Sequence, residues 1–340
     1  MNGLTIYDIA TEAGVSPATV SRVLNKKKCV SDKKRHDIEK IINKHNYKPN
    51  AAAQSLNSGT RVIGLMVADI RNPYYGSLAI ECEIAANERG YTVLLCNMLS
   101  DPALEESHLE KLYAQRAEAI IQIGRRPDFL VTDPSYAEHV KRISKVIPYI
   151  TSGKLDGVDC FCVRVDQQKA MKIVFDYLVS LGHSKIALIG GRKTVLPTYE
   201  KWNMYVSLLK KHKINYRKEY FLEGNYDNDA GYACMERLLK LKDPPRAVIA
   251  ANDDCALGAI LAAQDHGLSV PKDLSVIGFD NTRLSTLIRP SLTTVDYNYS
   301  RYGKALVDTA IQAATGGSPP REMFIDPIFV VRDSCGAPEV

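Results

Sequence analysis

The chain has 340 residues, 45% of them hydrophobic, and a formal net charge of +5. That length suggests two or three domains, and the composition is ordinary for a globular protein. No apolar run reaches the roughly 18 residues of a membrane span. The opening MNGLTIYDIA lacks the basic and apolar regions of a secretory leader, so a cytoplasmic location is expected.

Met1 to Arg61 holds eleven Lys/Arg against five Asp/Glu; the rest of the chain holds 33 and 34. The positive excess is therefore confined to one end, and a basic module on a neutral body points to a polyanion partner. The module reads as folded. Thr5 and Asp8 have capping-box spacing, and Ile6, Ile9, Ala10 and Ala13 follow a helical period. Gly14 breaks that helix. Ser16 and Pro17 open a second, with Val20, Val23 and Leu24 as its apolar stripe. Ser31 stands where a third helix begins, which carries Ile38, Ile41 and Ile42 and ends near His45.

Two helices joined by a short glycine-containing turn form a helix-turn-helix, whose second helix presents its N-terminal residues to base edges in the major groove. This accounts for the polar face left by Thr19, Ser21, Arg22 and Asn25. An arginine can donate a bidentate pair to guanine, short hydroxyls suit phosphates or base edges, and Pro17 and Ala18 offer only apolar contact. Lys26, Lys27, Lys28, Lys33, Lys34 and Arg35 are placed to neutralise phosphates.

LTIYDIATEAGVSPATVSRVLN and its continuation VSDKKRHDIEKIINKHNYKPNAAAQSLNSG resemble the N-terminus of LacI/GalR-family bacterial transcription regulators. The resemblance makes Pro17, Ala18 and Arg22 the principal base readers. Thr5, Ser16, Thr19, Ser21, Asn25 and Ser31 are further DNA contacts. It makes residues 49–60 a hinge helix that orders when two copies meet on an operator, with Asn50 and Ala53 near the DNA. Leu56 is then the apolar wedge that unstacks a minor-groove step and bends the duplex. The implied domains are 1–48, 49–60 and 61–340.

From Arg61 the pattern changes to β-branched apolar runs. VIGLMVAD, YTVLLCNM, AIIQIG and KVIPYI alternate with helical stretches such as IECEIAANERG. After Asp166 the alternation repeats in KIALIGG, YFLEGNY, RAVIAAND and SVIGFDN. This predicts an α/β class with two doubly wound subdomains, whose ligand sits beyond the carboxyl ends of the strands. DIRNPYY, AANDDCALGAILAAQDHGLSVPKDLSVIGFDN and RPSLTTVD resemble the family's effector domain, itself similar to periplasmic sugar-binding proteins. The implied first subdomain takes about 61–162 and 293–323, the second about 163–292 and 324–340.

The resemblance implies an effector site of Asp69, Asn72, Tyr74 and Tyr75 in the first loop, with Tyr226 stacking and Asn252 and Asp280 hydrogen-bonding. Aromatic faces and carboxylates of this kind suit a sugar. The chain departs from the family at Lys201, where an arginine is usual and its planar fork is lost. It departs again in Thr151-Ser152-Gly153-Lys154, which lacks a frequent aspartate. Arg125, Arg192 and Lys193 add positive charge at strand ends, so an anionic effector stays open.

SVIGFDNTRLSTLIRPSLTTV also resembles catabolite-control regulators that bind a phosphorylated carrier protein. Ser300-Arg301 and Asp308 replace that helix's Tyr-Asp pair and arginine, which favours a repressor of carbohydrate-utilisation genes with a sugar or sugar-acid effector, acting as a homodimer. The alternatives are a catabolite-control type with a protein corepressor and a periplasmic-type binding protein without DNA function. No nucleophile elbow, Walker motif or zinc-protease motif suggests an enzyme, and neither cofactor nor metal is expected. The eight scattered cysteines include no C-x-x-C pair, and read as small buried hydrophobes.

Overall fold

The computed structural model describes residues 4–24, 29–45, 47 and 60–338. The chain divides into two compact units, Met1–Arg61 and Val62–Val340.

The first unit holds helices α1 (Ile6–Glu12), α2 (Pro17–Leu24) and α3 (Asp32–Lys44). The amide and hydroxyl of Thr5 both donate to Asp8, at 2.7 and 2.6 Å, and fix the start of α1. Gly14, at φ +63°, makes the turn into α2. The unit closes on Ile9, Ala10, Val20, Val23 and Ile38, with Ile41 and Ile42 packed at the edge. Lys44 and His45 reach Glu12 at 2.8 and 2.6 Å and tie the end of α3 to α1. Ser31 precedes α3, but its hydroxyl makes no capping bond.

In the second unit the first sheet contains β1 (Val62–Val67), β2 (Thr92–Asn97), β3 (Ala119–Ile123), β4 (Tyr149–Thr151), β5 (Phe161–Val165) and β11 (Glu322–Ile325). Its order is β11-β5-β4-β3-β1-β2, and every neighbouring pair is parallel. The second sheet, β7-β6-β8-β9, is also parallel, with β6 (Ile186–Ile189), β7 (Phe221–Leu222), β8 (Ala247–Ala250) and β9 (Ser275–Ile277). An antiparallel pair, β10 (Thr294–Asp296) and β12 (Ile328–Val330), lies outside both sheets. β10 and β11 are short and half-polar, β5 is interrupted by Arg164, and β12 is only three residues long, which hid them from an apolar-run criterion. β5 and β11 keep the first sheet running to Val165 and Ile325, past the subdomain limits of about 162 and 323.

The helices follow the strands: α4 (Pro73–Glu88), α5 (Pro102–Ala114), α6 (Pro134–Ser144), α7 (Gln167–Ser180), α8 (Leu196–Lys211), α9 (Asn228–Leu239), α10 (Asp253–Asp265), α11 (Leu284–Leu287) and α12 (Tyr299–Ala314). Asn72, Asp101 and Asp133 each cap a helix that opens with proline, an arrangement that satisfies one free amide and presets the first φ. Helices on both faces explain why β1, β3, β6 and β8 are apolar without alternation. α12 returns to lie against α4: a Cβ added at Gly303 would stand 2.7 Å from the Glu81 backbone. Cys82, Cys96, Cys234 and Cys255 are buried as expected, whereas Cys29 is exposed.

Candidate DNA-reading helix and effector cleft

Two of the expected base readers, Ala18 and Arg22, are exposed and lie four residues apart on α2; Pro17 is half-buried at its start. Val20 and Val23 hold the opposite face. Arg22 forms no hydrogen bond or ion pair with any described residue. Ser16 and Thr19 bond each other, hydroxyl to hydroxyl at 2.9 Å, so both are partly engaged in starting the helix. Thr5 is likewise turned onto Asp8. Asn25, Asn50, Ala53 and Leu56 lie outside the described residues.

In the second unit, Tyr74 and Tyr75 follow β1 and meet edge to face at 4.9 Å. Tyr74 also contacts Tyr297 and Tyr299, at 5.9 and 6.0 Å. The glycine at 124 lets Tyr75 approach, because a Cβ there would lie 2.6 Å from its hydroxyl. From the other side, Tyr226 bonds Thr198, hydroxyl to hydroxyl at 2.7 Å, and its ring passes close to Gly191. The two walls meet where the Leu130 amide donates to the Thr194 carbonyl at 2.9 Å. Nearby, Arg164 at the end of β5 pairs with Glu200 on α8 at 2.6 Å.

The other sequence-chosen residues divide by what they touch. Asp69 is paired with Arg71 at 2.5 Å, and Asn72 accepts from the Tyr74 amide at 2.9 Å as the cap of α4. Asn252 is also a cap: its oxygen accepts from the Cys255 amide at 3.0 Å, and its nitrogen donates to the Tyr226 carbonyl at 2.9 Å. Arg192 is exposed and donates to Asn225. The Lys201 ammonium is buried, donates to the Ala251 carbonyl at 2.9 Å and the Tyr297 hydroxyl at 3.1 Å, and lies 3.7 Å over the Phe279 ring. Asp280 is buried at φ +100°, and no described residue donates to its carboxyl.

Burial governs the charges here. It draws Lys201 down to about 8, with Asp280 acting against it. It pushes Asp280 well above the usual carboxylate range, helped by Asp253 and opposed by Lys201. Asp128, on the loop after β3, is raised to about 7 by burial and then by Glu105, with Arg125 opposing. Burial raises Tyr74, Tyr75 and Tyr226, with a lesser upward push from Asp128 on all three and from Asp280 on Tyr75. Asp128, Thr198, Tyr297 and Tyr299 were not singled out from sequence. Asp128 stands three residues after the chosen Arg125, and Tyr297 and Tyr299 directly follow β10, so the rule of searching strand ends reaches all three.

Residues 5–50 match the model of bacterial regulatory proteins, lacI family, and residues 175–335 match a periplasmic binding protein-like domain. The HTH-type transcriptional repressor PurR of Mannheimia succiniciproducens is 31% identical over 336 residues, covering 97% of this chain and 98% of that one. The chain belongs to the lacI family of bacterial regulatory proteins. Catabolite control protein A of Priestia megaterium is 35% identical over 296 residues, 86% of this chain and 87% of its own. Among solved structures, the lac repressor dimer bound to operator and the anti-inducer ONPF matches this lacI-family chain with a TM-score of 0.88 at 26% identity, over 99% of this chain and 100% of that one. The chain is therefore a transcriptional regulator: a helix-turn-helix module followed by an effector-binding core of periplasmic-binding-protein type.

Proposed function

We propose that this regulator is an operator-binding repressor whose DNA affinity is set by a small carbohydrate-like effector held between the two core subdomains. The observation that carries the DNA half is Arg22, exposed and bonded to no described residue, on a helix whose other face is buried. Such a group needs no rearrangement to reach a guanine edge. The effector half rests on the tyrosines of both walls, which suit the C–H faces of a sugar ring, and on Asp280, whose buried carboxyl suits a hydroxyl. Tyr74, Tyr75, Tyr226 and Asp280 are the proposed effector contacts.

The working form is a homodimer, because a two-fold operator takes one module per half-site. Ile80 and Ile84 on α4, Leu95, Leu99 and Leu261 on α10 supply exposed apolar surface for that contact. Residues 49–60 are the proposed hinge, with Leu56 as the wedge. Effector binding biases the relative orientation of the two subdomains. Orientation sets whether paired hinges form, so effector and DNA affinity are reciprocally coupled, typically by about 1–3 kcal/mol. No described helix is long and apolar enough to cross a membrane. Regulation rather than catalysis is the role that its relatives' names support.

The test is operator affinity by fluorescence anisotropy across an effector titration, for the wild type and Asp280→Ala. The wild type should bind a palindromic operator and change affinity with effector. Asp280→Ala should bind operator and ignore the effector. A variant that responds as the wild type does would remove Asp280 from the site, and absence of any operator binding would sink the reading.

A further inference from the structure

Two contacts join the core subdomains through groups far apart in sequence. The first lies at the rim of the cleft. Phe129 and Val195 form an isolated antiparallel bridge, and the Leu130 amide donates to the Thr194 carbonyl at 2.9 Å. The second is the Arg164–Glu200 ion pair at 2.6 Å, whose side chains are 18% and 13% exposed, so salt screens it less than a surface pair.

Each lip of the bridge is anchored in its own subdomain. Arg126 donates to Glu106 at 2.8 Å and lies 4.4 Å over the Tyr136 ring, and the Lys154 amide donates to the Pro127 carbonyl at 2.6 Å. Opposite, the Lys193 amide donates to Glu223 at 2.9 Å, and its ammonium sits 3.8 Å over the Trp202 ring. Lips held in this way move with their subdomains and do not peel away alone. The ion pair is preset in the same manner. Arg164 also donates to Glu322 at 3.0 Å and lies 4.6 Å over the Phe324 ring, both on the neighbouring β11. Arg164 is the one charged partner of Glu200 among the described residues.

We propose that these two contacts form a clasp, which closes the cleft by protein groups alone and sets the subdomain orientation that governs operator affinity. This rests on the reading that orientation controls DNA binding. The partners on both sides belong to the chain, so the clasp does not wait for a ligand to form. It is also able to open, because water replaces a broken amide–carbonyl bond and leaves its net contribution small. The ion pair gives the closed form its bias. Separation would leave the Glu200 carboxylate partly buried without its counter-charge, which is costly.

The experiment uses the whole chain with no sugar added. Directly opposed residues of an antiparallel pair have Cα atoms about 4.5–5.5 Å apart, within the span of a disulfide. Phe129→Cys with Val195→Cys should therefore crosslink fully under copper–phenanthroline, with the bond mapped by peptide mass spectrometry. Oxidised and reduced forms should bind a palindromic operator alike, since the crosslink fixes the orientation that the clasp already holds. Glu200→Arg sets like charges together, and should slow crosslinking and change operator affinity by about fivefold or more each, the lower end of common couplings between sites. Arg164→Glu combined with Glu200→Arg restores an opposite pair and should recover most of both, a rescue that general loss of structure would not give. Folding is followed by the melting transition at Trp202, the single tryptophan. Cysteines that fail to crosslink in protein that binds operator would show the lips standing apart and overturn the proposal. So would a crosslink that itself shifts operator affinity, or a charge series that leaves both readouts unmoved. Crosslinking that follows the charge series while operator affinity ignores it would leave the clasp standing. It would overturn instead the reading that orientation controls DNA binding, and with it the clasp's hold on operator affinity.

Discussion

The two units solve opposite problems. The helix-turn-helix module presents its chemistry outward, and Arg22 has no partner among the described residues to give up. The core turns its chemistry inward, where each polar group is either engaged by a neighbour or left waiting for a ligand. An exposed reading face can therefore be recognised from residue identity and helical spacing. An enclosed one is decided by which neighbours have already claimed each side chain.

The largest difference to test is the response to pH. In the module, Asp8 is held below its usual range by the Thr5 hydroxyl and amide, and Glu12 by Lys44 and then His45. Lowered acids stabilise above their unfolded pKa, and that contribution is lost only as pH falls through the folded value, below about 4. In the core, burial raises Asp128 and Asp253 to about 7. The folded core then keeps protons that the unfolded chain releases near pH 4, so its stability falls as pH rises from about 4 to about 7. The ceiling is about 1.4 kcal/mol per pH unit for each such acid. Burial lowers His183, which opposes the trend as a single group. Calorimetry should show the transition reported by Trp202 moving down between pH 5 and 7 while the module's stays level. A core transition level over that range would remove the protonated acids from the account.

The next largest effect tests whether the units are separable. Ile9 is fully buried in a core of five residues. Ile9→Ala should cost about 2–5 kcal/mol, enough to abolish operator binding in so small a unit. The Trp202 transition should not move. A matching fall in the core transition would show that the two units unfold together.

Within the module, Arg22→Ala should cost about 1–3 kcal/mol on the cognate operator and relax preference at one base pair. Lys33, also exposed, should instead weaken all sequences alike when replaced by Ala and reduce the salt slope by about one. If Arg22→Ala leaves operator selection intact, α2 does not read the bases.

Most of the architecture was legible because parallel strands buried on both faces advertise themselves as apolar runs, as in VIGLMV and AIIQI. The missed strands, β5 with its Arg164 and the edge strand β11 with exposed Phe324, lack that signature. At the site, the aromatic choices Tyr74, Tyr75 and Tyr226 lie on the cleft walls. The polar choices were harder, because a loop after a strand is also the loop before a helix. Asn72 and Asn252 sit where the sequence suits either a ligand or a cap, and both cap. Asp128 had no motif to mark it. Its neighbour Gly153 is distant in sequence and comes close only after folding.

Asn252 gives the smallest effect and the sharpest division between those two roles. Its amide oxygen caps α10, and its nitrogen holds the Tyr226 carbonyl, so the side chain acts on the aromatic wall from behind. Losing a cap of this kind costs about 1 kcal/mol. Asn252→Ala should therefore lower the core's stability by about that much, and weaken effector binding by releasing the Tyr226 segment. Asn252→Ser retains a capping oxygen in a smaller side chain and should recover most of the stability. Its effector response separates the readings. If Asn252 serves as cap and support, the serine variant binds effector nearly as the wild type does. If the amide touches the effector, stability returns and binding does not. Both side-chain groups are already bonded within the protein, so the expected result is the first. Effector titration of the serine variant, read as operator release, decides it.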